Sequence, residues 1–512
     1  MNTEFDVIVI GAGINGAGIA RDAAMRGLRV LLVDKGDVGG GTSAGSTRLI
    51  HGGLRYLEHF EFGLVRESLR ERETLLRIAP HLVRPLEMTI PIYKESQRGR
   101  AKIRAGMIAY ELLAWGKSLP RYRMQSARET LRRMPGLKAE GLVGSAGYFD
   151  AQVEFAERLV VENVLAAIEY GATVLTYTRV TKLLSEGSRV RGIEAEGDLV
   201  ETALAEVVIN AAGPWVDQLI DEKLIGGTES ERLIGGTKGS HVVVAPFAGA
   251  PEGAVYLEAV SDRRPFFVIP WNGNYLIGTT DVHFEEDPDE VRAEEWEIDY
   301  LLAETNRAFP AAELSSGSVL YTYSGVRPLA YTKNEDEQGI TRRHFLREHP
   351  QFQNLVSVVG GKLTTYRSLA EECVDLIFRK LERPSPPCKT APIPLPGAVS
   401  RTLANVCERW RRVYGSRAKQ VAELAEQFNV ENPLAAEVAF SFKEEFAKTL
   451  SDCFLRRTMI GLNADLGLSE LQTAAEIGER VLGWSKERAE REVERYREEI
   501  SNRIDDGFHN AH

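Results

Sequence analysis

The first 34 residues constrain the fold of this chain more than any other segment. An apolar, β-branched run at 5–10 (FDVIVI) precedes GAGING, which places Gly11, Gly13 and Gly16 in the spacing G-x-G-x-x-G. A segment of helical spacing follows, and LRVLLVD then forms a second apolar run that ends at Asp34. The alternation predicts a βαβ unit on a parallel sheet.

Each glycine of this turn has a role in a dinucleotide-binding site. Gly11 makes the tight turn, Gly13 lets the backbone approach a pyrophosphate, and Gly16 allows the helix to pack on the strand. The helix N-terminus offers free N–H groups to the phosphates. Asp34 suits a ribose 2′-OH and would repel a 2′-phosphate, which disfavours NADP. The glycine motif alone is weak, but its position between strand and helix supports it.

Three glycine-marked segments favour FAD over NAD. A polar loop, GDVGGGTSAGSTRLIHGG (36–53), replaces a second compact βα unit; EVVINAAGPW (206–215) ends a strand in small residues; and VVGGKLTT (358–365) predicts a helix N-terminus after Gly361. A positive helix end can stabilise a reduced flavin. The alternative is three ordinary turns. Further residues predicted to bind the cofactor are Thr42, Ser46, Gly52, Gly53, Val180, Ala212, Gly213, Trp215, Gly361, Lys362, Leu363 and Thr364.

The rest of the chain predicts an α/β fold with an interleaved second domain. We assign 1–382 to one region, in which segments of about 1–90, 145–220 and 354–382 bind the cofactor. Strand-like runs separated by turns predict a mixed, largely antiparallel sheet for the substrate side, at about 91–144 and 221–353. A Pro-rich linker (383–397) and a separate C-terminal helical cap (398–512) follow.

Composition excludes several classes of protein. A formal charge of -11 argues against nucleic-acid binding, which needs a broad basic face. The four cysteines lack a CxxC pair and fit buried thiols in a reducing compartment better than a disulfide framework or a zinc site, so no metal is expected. No run of about 18 uncharged apolar residues suggests a spanning helix, and no cleaved signal peptide is indicated. We therefore expect a cytoplasmic protein.

Cationic motifs on the substrate side predict an anionic small substrate. KGSH (238–241), TYSGVRPL (322–329) and ITRRH (340–344) belong to segments that could converge on one cofactor. Any one of these cations could be an ordinary surface charge. Together they suit a phosphate or a carboxylate, which arginine binds with two parallel hydrogen bonds. The cations are Arg55, Arg327, Arg342 and Lys362, and the candidate bases are His51 and His241.

Several motifs resemble those of one enzyme family. IGAGINGAGIARDAAMRGL, STRLIHGGLRYLEHFEFGLVRESLRERE, INAAGPW, KGSHVVV, FFVIPW, IGTTD, YTYSGVRPL, GGKLTTYRSLAEE and LRRT are similar, in this order, to the FAD-dependent glycerol-3-phosphate dehydrogenases. The resemblance covers nearly the whole chain. It implies a Rossmann-like FAD-binding domain of the D-amino-acid-oxidase/glutathione-reductase type and oxidation of sn-glycerol 3-phosphate to dihydroxyacetone phosphate. Electrons would pass to a membrane quinone, in glycerol and glycerophospholipid catabolism.

The resemblance also implies roles for the cationic residues. Arg55, Tyr56 and Arg342 match contacts to the phosphate or glycerol, and Arg327 and Lys362 match positions beside the reacting hydroxyl and the flavin. His51 and His241 match imidazoles that line the pocket. The implied reaction is hydride transfer from C2 to flavin N5, with Arg327 and Lys362 stabilising the developing negative charge. The proton acceptor stays open.

A quinone lies in the bilayer, so the enzyme must reach a membrane surface. RGRAKIRAGMIAYELLAWGKS (98–118) has a basic start, an apolar body and Trp and Tyr residues, which suit a helix lying in the membrane interface. Alternatively, this helix packs on the protein core. We expect peripheral association with the inner face of the cytoplasmic membrane. The sequence leaves the oligomeric state open, a homodimer included.

Three other functions compete with this one. A glycerol-3-phosphate oxidase would pass electrons to O2 and produce peroxide. A flavin amine or amino-acid oxidase would need a carboxylate clamp and an apolar amine pocket instead of many cations. A non-catalytic flavin-binding module would bind FAD without being reduced by any polyol phosphate.

Overall fold

The computed structural model contains two sheets and a C-terminal group of helices. It describes residues 4–197, 202–220, 231–332, 341–398, 406–428, 432–501 and 503.

The first sheet is mainly parallel and carries the N-terminal βαβ unit. Its strands lie in the order Phe345–Glu348, Leu355–Val359, Thr202–Asn210, Glu4–Ile10, Val30–Val33 and Thr173–Leu175, with Thr178–Glu186 and Arg189–Gly197 attached as a hairpin. Helices Ile14–Met25, Ala156–Glu169 and Tyr366–Lys380 pack on it around one apolar core. Because its central strands run parallel, the three predicted glycine-marked strand ends meet at one edge.

The second sheet is largely antiparallel, as predicted. Its order is Val282–His283, Thr237–Val244, Asn274–Gly278, Pro265–Trp271, Ala254–Glu258, Val83–Tyr93, Leu142–Val153 and Leu49–Ile50. Val319–Arg327 pairs with Thr237–Val244, and Arg123–Ser126 pairs with Leu142–Val153. Helices Phe62–Ile78, Arg100–Leu113, Ala127–Arg133 and Glu295–Ala308 accompany this sheet.

The chain crosses between the two sheets repeatedly, which confirms the predicted interleaving. The crossings occur at other residues than predicted. Leu142–Val153 belongs to the antiparallel sheet, although about 145–220 was assigned to cofactor binding. Phe345–Glu348 belongs to the parallel sheet, although 221–353 was assigned to the substrate side. Both strands were misassigned because the local pattern of a strand does not show which sheet it joins.

The C-terminal part is helical, as predicted, but it does not stand apart. Its helices are Glu408–Tyr414, Ala418–Gln427, Pro433–Glu444, Leu450–Asp452, Leu471–Leu482 and Lys486–Ser501, with a π-helical turn at Cys453–Arg457. Its apolar residues continue the core of the antiparallel sheet, and Tyr321 donates a hydrogen bond to the carbonyl of Leu462 at 2.8 Å. The predicted C-terminal helical domain is therefore confirmed, and it packs on the antiparallel sheet.

Short helical segments complete the described structure. They are Leu54–His59, Gly213–Trp215, Val216–Leu219, Pro288–Glu290, Ser316–Ser318, Gly415–Arg417, Ile460–Leu462 and Leu468–Glu470. No helix within the described ranges is long and apolar enough to cross a membrane.

All four cysteines are free thiols. Cys373 and Cys453 are buried as predicted, but Cys388 is half-buried and Cys407 is exposed. The expectation of buried thiols therefore holds for only two of them.

Replacing Gly16 tests the packing of the first helix on its strand. A Cβ at Gly16 would lie 1.8 Å from the carbonyl oxygen of Gly11, so Gly16→Ala should lower the free energy of unfolding by about 1–3 kcal/mol or more. Gly106→Ala is the matched control, because a Cβ there meets no atom within 4 Å. It should raise the free energy of unfolding by about 1 kcal/mol, as in any exposed helix. Denaturant titration of both variants measures the sign of each change in the free energy of unfolding. Equal destabilisation by Gly16→Ala and Gly106→Ala would contradict the packing argument.

Candidate functional site

A first cavity of about 460 Å³ lies at the edge where the parallel strands end. It extends from the glycine turn to the segment after Leu355–Val359. Twelve of the residues predicted to bind the cofactor line it: Gly11, Gly13, Asp34, Thr42, Ser46, Val180, Ala212, Gly213, Trp215, Gly361, Lys362 and Leu363.

The glycine turn is held by side chains that follow the second strand. Gly11 has a φ of 102°, and a Cβ there would lie 2.6 Å from the carbonyl oxygen of Ala211. Asp34 accepts hydrogen bonds from the amides of Ala12 at 2.6 Å and Gly36 at 2.8 Å. Burial raises the pKa of Asp34, and these backbone N–H groups oppose that shift. The carboxylate thus fixes the turn itself, in addition to facing the cavity.

Four polar side-chain atoms on the wall of this cavity are buried and lack a hydrogen-bond partner among the described residues. They are Oδ1 of Asn15, Oγ of Ser46, Nε1 of Trp215 and Nζ of Lys362. Buried polar groups are rarely left unsatisfied in a native protein, because each costs about 1–3 kcal/mol. Such a mixture of donors and acceptors beside a glycine turn fits a dinucleotide.

A second cavity of about 270 Å³ adjoins the first. All of the predicted catalytic and substrate-binding residues line it: His51, Arg55, Tyr56, His241, Arg327, Arg342 and Lys362. Both cavities are lined by Thr42, Ser46, Pro328, Gly361, Lys362 and Leu363. The two cavities are therefore adjacent, and these six residues form the wall between them.

The second cavity is strongly cationic. Its described lining contains five arginines and one lysine but only two carboxylates, Asp150 and Asp281. Asp281 bridges two cations: Oδ1 accepts from Arg327 at 2.8 Å and Oδ2 from Arg342 at 3.3 Å. Burial lowers the pKa of Arg327 to about 10, and Arg342 acts in the same direction against Asp281. The cavity therefore favours an anion.

Lys362 lies at the junction of the cavities with its ammonium group 3.8 Å from the centre of the Tyr56 ring. Burial lowers the pKa of Lys362, and the positive charge of Arg342 acts in the same direction. Burial alone would raise the pKa of Tyr56, but Lys362, Arg342 and Arg55 lower it by more. Both groups therefore lose a proton more readily than they would in water.

Both predicted histidines are neutral imidazoles in this environment. Burial lowers the pKa of His51 to about 4 and takes that of His241 well below its usual value. Nε2 of His241 lies 2.9 Å from Oγ1 of Thr47, and its ring stacks on Tyr323. A neutral imidazole can accept a proton, so both remain candidate bases.

Two predictions about backbone geometry need correction. A Cβ at Gly52 would lie 2.4 Å from the hydroxyl of Tyr110, and one at Gly53, where φ is 75°, would meet the Tyr56 ring at 2.2 Å. These glycines therefore make room for protein side chains; Gly53 lines the second cavity, as does Thr364, and Gly52 lines neither. Gly16 packs against the turn, as predicted, and lines neither cavity. The helix after Gly361 begins only at Tyr366, because Lys362–Thr365 form a turn.

Two acidic residues of this site were missed by the sequence analysis. Asp281 ends the quoted motif IGTTD, and a carboxylate in the short connection after a predicted strand could have marked it as a partner for the arginines. Asp150 lies in the middle of Leu142–Val153 and accepts hydrogen bonds from Arg72 at 2.6 Å and from the hydroxyl of Tyr110. Nothing in the local pattern separates it from an outward-facing strand residue.

Two family models match the chain. A model described as FAD dependent oxidoreductase matches residues 6–375. A model described as the C-terminal domain of alpha-glycerophosphate oxidase matches residues 388–489.

Individual relatives match over nearly the full length. A glycerol-3-phosphate dehydrogenase from Synechocystis sp. is 47% identical, covering 97% of this chain and 96% of the relative. A D-erythritol 1-phosphate dehydrogenase from Brucella abortus is 37% identical over 92% of this chain and 96% of the relative. The crystal structure of the glycerol-3-phosphate dehydrogenase from Bacillus halodurans complexed with FAD superposes with a TM-score of 0.80 at 28% identity, covering 98% of this chain and 95% of that one.

The buried neutral histidines predict a defined pH dependence of stability. An unfolded histidine takes up a proton near pH 6.5, whereas His51 in the folded chain resists protonation until about pH 4. Between these values the unfolded state binds more protons, so the free energy of unfolding should fall as the pH falls. His51→Gln should reduce this slope by up to one proton. Urea unfolding at several pH values measures it, and an unchanged slope would contradict the assignment.

Proposed function

Because the chain belongs to the family of FAD-dependent glycerol-3-phosphate dehydrogenases, we propose that it binds FAD in the first cavity and oxidises sn-glycerol 3-phosphate to dihydroxyacetone phosphate in the second. The observation that carries this proposal is the shared wall between the cavities. A dinucleotide site with unsatisfied polar groups adjoins a small cavity with excess positive charge. A small phosphorylated alcohol fits that charge, whereas an amine substrate would be repelled by it.

The arginines bind and orient the substrate. Arg55 and Arg342 supply guanidinium groups for the phosphate, to which they can donate parallel hydrogen bonds. Arg327 is fixed by Asp281, by the hydroxyl of Thr279 at 3.1 Å and by the carbonyl of Thr280 at 3.1 Å. A cation held by several partners needs no reorganisation when negative charge develops nearby.

The proton of the C2 hydroxyl passes to a group of this chain. FAD, when bound, supplies the acceptor for the hydride that leaves C2. Lys362 and Arg327 stabilise the negative charge on the C2 oxygen as its proton leaves. His51 and His241 are neutral and can accept that proton. The apolar wall of the cavity, including Tyr256 and Phe267, limits access of water to the reacting carbon.

The adjacent arginines Arg342 and Arg343 offer a test of phosphate binding. Arg342 lines the second cavity, whereas Arg343 is exposed and does not. A charge-assisted hydrogen bond contributes about 1.5–3 kcal/mol, so Arg342→Ala should lower kcat/KM for glycerol 3-phosphate by roughly 10- to 150-fold. The FAD content should not change. Arg343→Ala should keep kcat/KM within about twofold, since exposed charges contribute little. Equal losses in both variants would contradict the role of Arg342.

We also propose that electrons pass on to a quinone while the protein lies on the inner face of the cytoplasmic membrane. The supporting feature is helix Arg100–Leu113, which buries Ile103, Met107 and Tyr110 on one face. Ile108 and Leu112 are 44% and 64% exposed on the other, and Trp115, which follows the helix, is 89% exposed. Exposed Phe60 (78%) and Phe62 (46%) follow the short segment Leu54–His59, which contacts this helix. Contiguous exposed apolar side chains of this kind suit an interfacial position.

The buried face of the same helix reaches the second cavity. The hydroxyl of Tyr110 bonds to Asp150 and accepts from the amide of Gly52 at 2.9 Å. Thus one helix separates the apolar surface from the residues beside the active site. Arg98 and Lys102 both pair with Glu58. We therefore expect the apolar residues to contribute more to lipid binding than these two cations.

Vesicle flotation tests the membrane face. The double variant Leu112→Ser/Trp115→Ser should lose most binding to anionic phospholipid vesicles, because two large apolar side chains no longer enter the interface. Leu468→Ser is the control, since Leu468 is 42% exposed at another place in the chain. Flotation of the double variant at the level of the parent protein would contradict the proposal.

A second candidate acceptor is O2. It is favoured by the C-terminal match to a domain of alpha-glycerophosphate oxidase. Stoichiometric peroxide production with slow quinone reduction would support the oxidase. Fast reduction of a soluble quinone with little peroxide would support the dehydrogenase.

A further inference from the structure

The C-terminal helices contribute residues to the first cavity. Arg456, Arg495 and Glu499 line it beside Asp34, Asp37 and Tyr177. This is the end where Asp34 would meet a ribose, remote from the wall that the two cavities share. Sequence analysis gave no role to these residues beyond quoting LRRT, which contains Arg456 and Arg457.

A buried carboxylate of the cofactor loop joins the two regions. Asp37 lies three residues after Asp34, and Oδ2 accepts from Nε of Arg456 at 2.7 Å and from Nη1 of Arg457 at 2.7 Å. Oδ1 accepts from Nη2 of Arg457 at 2.8 Å. Burial alone would raise the pKa of Asp37, but Arg457 and Arg456 lower it by more. Asp37 is therefore a charged group whose partners both lie about 420 residues further along the chain.

Arg456 also reaches a second wall of the cavity. Nη2 of Arg456 donates to Oδ1 of Asp452 at 2.8 Å, and the hydroxyl of Tyr177 donates to the same oxygen. The amide of Tyr177 donates to the carbonyl of Gly36 at 2.9 Å. One hydrogen-bonded ring thus contains the loop after the second strand, the start of the hairpin and the C-terminal helices.

The local backbone explains how two consecutive arginines reach one carboxylate. Neighbouring side chains on an α-helix point about 100° apart, but Cys453–Arg457 form a π-helical turn. Such wider turns are rare and occur frequently at functional sites. The turn is also fixed from behind, because Nε of Arg457 donates to the carbonyl of Glu445 at 3.0 Å and Arg158 pairs with that glutamate at 2.5 Å.

We infer that the C-terminal helices form part of the FAD site, with Arg456 and Arg457 acting as positioning residues that hold the Asp34–Asp37 loop in its binding conformation through Asp37. Arg495 and Glu499 close the same end of the cavity. FAD binding and docking of the C-terminal turn are consequently coupled, and each stabilises the other. This inference concerns oxidised FAD alone, so it stands or fails independently of the substrate and of the electron acceptor.

Hydrogen exchange tests the coupling without any mutation. Amides of residues 450–462 should exchange about tenfold more slowly, or slower still, in the FAD-loaded protein than in the apoprotein. A turn with a purely structural role would be protected equally in both. Equal exchange in the two states would overturn the inference.

A double-mutant cycle tests the residues. Arg456→Gln leaves Asp37 with too little positive charge and should raise the Kd for FAD about tenfold or more. Asp37→Asn leaves an excess cation and should also weaken binding. The double variant restores the charge balance and should recover to within about threefold of the parent protein. Flavin fluorescence during titration of the apoprotein gives each Kd. Additive losses, or an unchanged Kd in Arg456→Gln, would overturn the inference.

An exposed pair keeps the test decisive if a buried variant fails to fold. Arg495 and Arg497 are both exposed on helix Lys486–Ser501, but only Arg495 lines the cavity. Because FAD is anionic, Arg495→Glu should raise its Kd about threefold, while Arg497→Glu should not change it. Equal Kd values for these two variants would overturn the placement of the C-terminal helix at the site.

Discussion

The buried ammonium group of Lys362 is the charge on which the arrangement of the site depends. It lies on the wall between the two cavities, faces a tyrosine ring, and has no hydrogen-bond acceptor among the described residues. A buried cation without an anion lowers the stability of the fold. A ligand that interacts with this cation would restore that stability. Both ligands that we assign to the cavities are electron-rich or anionic. Arg55, Arg327 and Arg342 add positive charge to the second cavity, and Asp281 relieves it only in part.

Much of this site could be predicted because parallel strands place distant segments at one edge. The motifs at Gly11, Ala212 and Gly361 are far apart in the chain, but each follows a central strand of one sheet. That topology alone brings them together. Four of the six cations of the second cavity, Arg55, Arg327, Arg342 and Lys362, were predicted from motif content and from a family resemblance; Arg48 and Arg264 were not.

What could not be predicted depends on contacts between segments. Gly52 and Gly53 read as glycines for a cofactor, but the hydroxyl of Tyr110 and the ring of Tyr56 occupy the space that a Cβ would need. Arg48, in the same loop, is not a ligand residue but a buried partner of Glu157 at 2.7 Å. Likewise the two carboxylates Asp37 and Asp281 become informative only when their arginine partners are known. Their partners lie in other domains or strands, so no local pattern marks them.

Charge also explains why the C-terminal helices belong to the catalytic region. The loop after Asp34 carries a second acidic residue, Asp37, in a buried position, and the cations that pair with it among the described residues both belong to the C-terminal turn. The apolar core and the ion pairs of Arg158 and Glu445 join the same regions. On the inference drawn above, the cofactor site is assembled from three parts of the chain, one of which is the C-terminal helical domain.

In the proposed reaction, the cationic cavity binds the phosphate group and positions the alcohol carbon beside the flavin. The most direct measurement is the absorbance of the FAD-loaded protein during anaerobic addition of sn-glycerol 3-phosphate, with no quinone present. The account predicts bleaching of the oxidised flavin band by glycerol 3-phosphate and none by glycerol at the same concentration, because glycerol lacks the anionic group that the arginines bind. Absence of bleaching by glycerol 3-phosphate, or equal bleaching by glycerol, would contradict it.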